Sequence, residues 1–221
     1  MEVELRTMGK KKPVTIAGAA GQIEALLEEG QGGGLFSCSG YVAVICHPHP
    51  LHGGTMNNKV VSTLVRVYRE LGITSLRFNF RGVGNSEGEH DEARGEVDDL
   101  CCVSEWLLAE YPESQLLLAG FSFGSAIVAA ASERIPVAHM ILVAPPVARY
   151  SYASQGAFAC PVAVVLGGQD ELVEAKTTLA WLTSHGCATE TIVIPEASHF
   201  FHGQLNNLRE KLGAQLSAFL S

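Results

Sequence analysis

Two spacings of apolar residues alternate along this chain. Short, continuous, β-branched runs such as Tyr41–Cys46 read as strands buried on both faces. Longer stretches carry apolar residues three and four apart. In 58–70 these are Val60, Val61, Leu64, Val65 and Tyr68, a helical stripe that Gly72 closes. The same reading gives strands at 73–80, 116–121, 137–143, 162–166 and 191–194. It gives helices at 96–111, 125–134, 172–185 and Leu205–Leu220. Strand and helix alternating in this way predict an α/β fold: a three-layer, mostly parallel, twisted sheet with helices on both faces. Ligand sites of such sheets lie beyond the carboxyl ends of the strands, so the loops there are where chemistry is expected.

The 221 residues fit one domain over 1–221, with no linker and no repeat. Gly32-Gly33-Gly34, the one low-complexity spot, reads as a loop between N-terminal strands. A net charge of −8 argues against a nucleic-acid partner, because phosphate binding needs a basic face. No apolar run is long enough to span a bilayer, so no membrane partner is expected. Lys10-Lys11-Lys12 precedes a mild apolar stretch at 14–20, but Pro13 and the Gly and Ala content spoil it as a signal peptide. The six cysteines (Cys38, Cys46, Cys101, Cys102, Cys160, Cys187) show no disulfide spacing and read as mostly buried thiols. Together these place the chain in the cytoplasm. Cys101 and Cys102 point to different faces of their helix, with a redox role as the alternative.

Two motifs offer competing chemistry. The segment TIAGAAGQI at 15–23 resembles the dinucleotide turn of NAD-dependent oxidoreductases, through Gly18-Ala-Ala-Gly21. A third glycine would fall at Glu24, whose carboxylate would face phosphate. Two antiparallel strands bending at Gly18 and Gly21 are the preferred reading. The second motif follows strand Tyr41–Cys46, where His47-Pro-His49-Pro-Leu51-His52-Gly-Gly has a spacing close to that of metallo-β-lactamase-like hydrolases. Leu51 stands where a ligating Asp would be. A zinc metallohydrolase using His47, His49 and His52 is the alternative this motif supports. Without a metal, the rigid turn can aim backbone N–H groups at one point. The two prolines have none, which leaves His49 and Leu51 as candidate donors of an oxyanion hole.

The most informative segment is 116–124, an apolar strand running straight into Gly120-Phe-Ser122-Phe-Gly124 and then a helix. A serine on so sharp a strand-to-helix turn is lifted above the sheet, and small residues two before and two after avoid clashes. The N–H of Phe123 then lies beside it at a helix N-terminus, where it favours an oxyanion. Serine needs a base, and on such folds the partners follow in the order Ser, acid, His. Asp170 sits just past strand 162–166, with Glu171 as the second candidate. His199 sits just past strand 191–194, with His202 nearer the following helix. Strand-end placement favours Asp170 and His199.

The chain resembles the α/β-hydrolase superfamily, and more narrowly small lidless bacterial serine hydrolases related to the dienelactone hydrolases. The resemblance rests on residues 47–60, 77–88, Gly120-Phe-Ser122-Phe-Gly124 and 197–203, and runs from about Gly21 to the C-terminus. It implies a triad of Ser122, Asp170 and His199, with an oxyanion hole from Phe123 and the turn after Tyr41–Cys46. Two positions depart from the pattern: dienelactone hydrolases proper use cysteine where this chain has Ser122, and many relatives have Asp at Asn79. The glycine-rich turn 81–86, with Arg77 and Arg81, reads as a tight turn bordering the site rather than a phosphate cradle.

Lid-bearing members of the superfamily insert a domain where this chain has only 144–161, so a rim edged by Tyr150, Tyr152 and Phe158 is expected and no lid domain. An open site of this kind suits a small-molecule ester or thioester with a short acyl chain. No cofactor is expected, and the chain is expected to be a monomer or homodimer.

Overall fold

The computed structural model describes residues 10–37, 39–152, 157–184 and 189–221. Cys38 and Cys187, and His185 at the end of an expected helix, lie outside them. The elements in chain order are β1 (Lys11–Gly18), β2 (Gly21–Glu28), β3 (Tyr41–Cys46), α1 (Lys59–Leu71), β4 (Thr74–Phe78), α2 (Gly95–Glu110) and β5 (Gln115–Phe121). They continue with α3 (Phe123–Ser132), β6 (His139–Val143), β7 (Val162–Gly167), α4 (Ala175–Ser184), β8 (Thr189–Ile194) and α5 (Leu205–Leu220). One sheet has the order β1-β2-β4-β3-β5-β6-β7-β8. Neighbours from β4 to β8 pair in parallel, while the β1–β2 hairpin and its pairing with β4 are antiparallel.

Strand alternation explains the two-sided core. In β3, Val42, Val44 and Cys46 pack with α2 and α3, whereas Ala43 and Ile45 pack with α1 and α5. Side chains on both faces are removed from water, each large one contributing about 1.5–3 kcal/mol. α1 follows its sequence signals. The Asn58 side chain accepts from the Val60 N–H at 2.8 Å, and Gly72 ends the helix in the left-handed region at φ 88°.

Several boundaries moved for local reasons. The helix expected from 172 begins at Ala175, because the Asp170 carboxylate holds the Leu172 and Val173 N–H groups in a turn. The helix expected from 125 begins at Phe123, directly after the serine. β4 stops at Phe78, since the Phe80 N–H donates to the His47 ring instead of a neighbouring strand.

The dinucleotide reading fails here. Gly18 and Gly21 face each other across a two-residue hairpin turn, and the chain continues as β2, so no helix N-terminus is available to receive a pyrophosphate. The apolar stretch at 14–20 is β1 and this turn. Cys46, Cys101, Cys102 and Cys160 are free thiols, and Cys101 is buried while Cys102 is half-buried. No helix among the described residues is long and apolar enough to cross a membrane.

Candidate active site

β5 ends at Phe121 and α3 starts at Phe123, so the chain reverses at Ser122 alone. Ser122 adopts φ 53° and ψ −119°, a conformation that strains any residue with a Cβ. Packing and hydrogen bonds enforce it. The Ser122 N–H donates to Val143 O at 2.8 Å, and both the N–H and the hydroxyl of Ser125 donate to Ser122 O. The flanking glycines are a steric necessity. A Cβ on Gly120 would run into the Gly124 carbonyl, and one on Gly124 would lie 2.6 Å from the carbonyl oxygens of Cys46 and His47.

The expected partners come together. His199 Nε2 is 3.1 Å from Ser122 Oγ, and His199 Nδ1 is 2.8 Å from Asp170 Oδ2. The other carboxylate oxygen of Asp170 accepts from the N–H groups of Leu172 and Val173 at 2.8 and 2.7 Å. The carboxylate therefore fixes the Nδ1–H tautomer and leaves Nε2 as an acceptor facing the serine. Glu171 accepts from the backbone N–H of His199 at 3.2 Å and does not touch its ring. His202 is exposed and lies against Phe200, away from Ser122. His199 is 3% exposed and packs between the rings of Phe121 and Phe200.

The histidine-rich turn divides into a brace and a wall. His47 points into the core. Its Nδ1 donates to Pro48 O at 2.6 Å and its Nε2 accepts from the Phe80 N–H at 3.1 Å. Burial pushes its pKa down to about 4. Both ring nitrogens are thus engaged, so the zinc reading of His47, His49 and His52 is overturned. Among the described residues no group of three or more His, Cys, Asp or Glu is arranged to hold a metal ion. His49 stacks on His52 and tilts against His90 and Phe123. Its pKa is lowered, first by burial and then by neighbouring His52 and His90.

Of the two expected turn donors, Leu51 drops out: its N–H donates to His49 Nδ1 at 3.2 Å and its side chain is exposed. The His49 N–H makes no hydrogen bond among the described residues, and neither does the Phe123 N–H at the first position of α3. The turn is held from behind. Asn79 Oδ1 accepts from the Met56 N–H, and Arg77 donates to Met56 O. Asn79 also donates to Glu24 at 2.6 Å, which an Asp could not do while ionised. Glu24 thus accounts for the departure at this position. Arg77 and Arg81 pair with Glu28 and Asp99, so neither is free for a phosphate.

Ser122, Phe123, His49 and His199 line a cleft of about 100 Å³. Tyr150 edges it as expected, but Tyr152 is buried with its hydroxyl on Ser125, and Phe158 packs by Trp181. The sequence reading missed Arg149, Leu172 and Phe200, which also line it. A single cation in the otherwise uncharged run 144–152 was the available signal for Arg149.

A family model for the alpha/beta hydrolase fold matches residues 51–159. A Coxiella burnetii protein described as an alpha-beta serine hydrolase homologue is 44% identical. Its structure superposes with a TM-score of 0.87 over 93% of this chain and 97% of that one. The chain belongs to the α/β-hydrolase superfamily. A Xanthomonas campestris structure, described as a serine hydrolase without a lid, is 35% identical with a TM-score of 0.87, covering 93% and 94%. An uncharacterized Rickettsia prowazekii protein is 37% identical over 171 residues, 72% of this α/β-hydrolase and 71% of that protein.

Proposed function

We propose that this α/β-hydrolase is a serine hydrolase cleaving short-chain carboxylic esters or thioesters through an acyl-Ser122 intermediate. The observation that carries the reading is the hydrogen-bonded chain Ser122–His199–Asp170 beside two unengaged N–H groups, those of Phe123 and His49. In the first half, His199 Nε2 takes the hydroxyl proton as Ser122 Oγ bonds to the acyl carbon. The charge moving onto the carbonyl oxygen is received by the Phe123 N–H, at the positive end of α3, and by the His49 N–H. The intermediate collapses, and the departing alcohol or thiol takes the proton from His199. Water then repeats the sequence on the acyl-serine and releases the acid. Asp170 holds the ring in the required tautomer and stabilises the imidazolium.

A fluorophosphonate probe should label the protein stoichiometrically, and Ser122→Ala should abolish labelling. Equal labelling of the alanine variant would overturn the reading.

Substrate size follows from the cleft. Pro146, Arg149 and Tyr150 contribute a rim, and the rim residues Leu172 and Phe200 are partly exposed, at 49% and 38%. A long acyl chain would leave most of its methylenes in water, forgoing about 0.8 kcal/mol each. In a series of p-nitrophenyl esters from two to sixteen carbons, kcat/KM should peak at six carbons or fewer. A maximum at ten or more would show that a segment closes over the substrate.

A further inference from the structure

The cleft at Ser122 continues into a second hollow of about 260 Å³, and Pro146, Arg149, Leu172 and Val173 line both. Arg149 therefore stands where the two join. Among the described residues, Arg66, Arg77, Arg81, Arg94, Arg134 and Arg209 each hold a carboxylate. Arg149 holds none, and shares this only with Arg69 on α1. The carboxylates around the cleft are engaged elsewhere. Asp170 is bound to His199, and Glu171 takes the His199 N–H. Glu96 is buried against His90 and the Asp91 N–H, and Glu174 accepts from the Thr177 hydroxyl. Among the described residues Arg149 is the one Arg or Lys that lines either hollow, and Glu174, which also lines the second, accepts from the Thr177 hydroxyl rather than from the guanidinium.

We infer that the natural substrate is an ester or thioester bearing an anionic group, a carboxylate or a phosphate, and that Arg149 receives that group while Pro146, Leu172 and Val173 cover the apolar part joining it to the scissile bond. This rests on the serine-hydrolase reading above. The planar fork of a guanidinium pairs with two oxygens of either anion, and its long stem reaches without burying the charge. Because Arg149 is exposed, solvent screens the pair, and the preference should be moderate and salt-sensitive.

The experiment compares matched substrates in one preparation, so that only a ratio of kcat/KM values is read and the active fraction cancels. One arm pairs mono-p-nitrophenyl adipate with p-nitrophenyl hexanoate, placing a carboxylate on the acyl side. The other pairs butyryl-coenzyme A with butyryl-N-acetylcysteamine, placing phosphates on the thiol side. In the arm that matches the natural substrate, Arg149→Met should lower the charged-to-neutral ratio by about two- to fivefold. Arg149→Glu should lower it further, Arg149→Lys should retain part of it, and added salt should shrink it in the wild type. Ratios within twofold of wild type in both arms for the Met and Glu variants would overturn the inference and leave the serine mechanism standing. A wild-type protein that turns over neither neutral ester nor neutral thioester would remove the serine mechanism, and this inference with it.

Discussion

Asp170→Asn is expected to lower kcat for p-nitrophenyl acetate by roughly 10³- to 10⁴-fold while the protein stays folded. An amide in place of the carboxylate still accepts from the Leu172 and Val173 N–H groups through its oxygen, so the turn that delays α4 is kept. Its NH2 then faces His199 Nδ1. That contact favours the tautomer with the proton on Nε2, the atom that must accept the proton of Ser122. Glu171→Gln is the matched control. Its side chain accepts only from the His199 backbone N–H, and an amide oxygen can do the same, so turnover should stay within a few-fold of wild type. Steady-state kinetics with active-site titration on both variants separates the two acids. If Glu171→Gln lost as much as Asp170→Asn, the acid has been assigned to the wrong neighbour.

The parts of the site legible from the sequence are those where one local rule sufficed. The Gly-x-Ser-x-Gly turn could be read because both glycines are forced by backbone packing across β3 and α3, which leaves a fixed mark on the sequence. Asp170 and His199 could be placed because each follows a strand directly. The turn after β3 could be seen but not resolved. Whether Leu51 or His49 offers its N–H depends on which way the His49 ring points, and the ring of His49 takes the Leu51 proton itself. His47 looked like a ligand because spacing cannot show that its ring is turned inward, bridging Pro48 O and the Phe80 N–H across two loops. Arg149 went unread because a cation with no carboxylate beside it among the described residues is recognised only in the folded chain. Among the elements, the deviations lie at ends where side chains capture backbone groups, as Asp170 does before α4.

Acid should destabilise this fold earlier than carboxylate protonation alone would, and two histidines away from the proposed catalytic base should set the window. His47 and His139 are 0% and 1% exposed, and burial lowers the pKa of each from 6.5 to about 4. Protonating His47 at Nε2 also breaks its bond from the Phe80 N–H. His139 packs on Phe219, and its Nδ1 has no partner among the described residues. Well above pH 6.5 both rings are neutral in either state, and the full stability is present. As pH falls toward 4, the unfolded chain takes up a proton at each ring and the folded chain does not, so unfolding becomes more favourable. At about 1.4 kcal/mol per pH unit, each ring removes about 3 kcal/mol across the window. The two together rival the 5–15 kcal/mol of a typical domain. Glu24 and Glu70, whose pKa values are lowered, add their losses only below about pH 4.5. Urea unfolding at half-unit steps from pH 7.5 to 4.5 should therefore show stability falling by up to about 2.7 kcal/mol per unit between pH 6 and 5. His139→Gln removes one titrating group at the face away from Ser122, and should cut that slope by up to half whatever it does to the stability at pH 7.5, with His49, whose pKa is also lowered, adding a smaller loss of the same sign. A variant slope equal to that of the wild type would show that His139 is already protonated in the folded protein, or that it never titrates in this range.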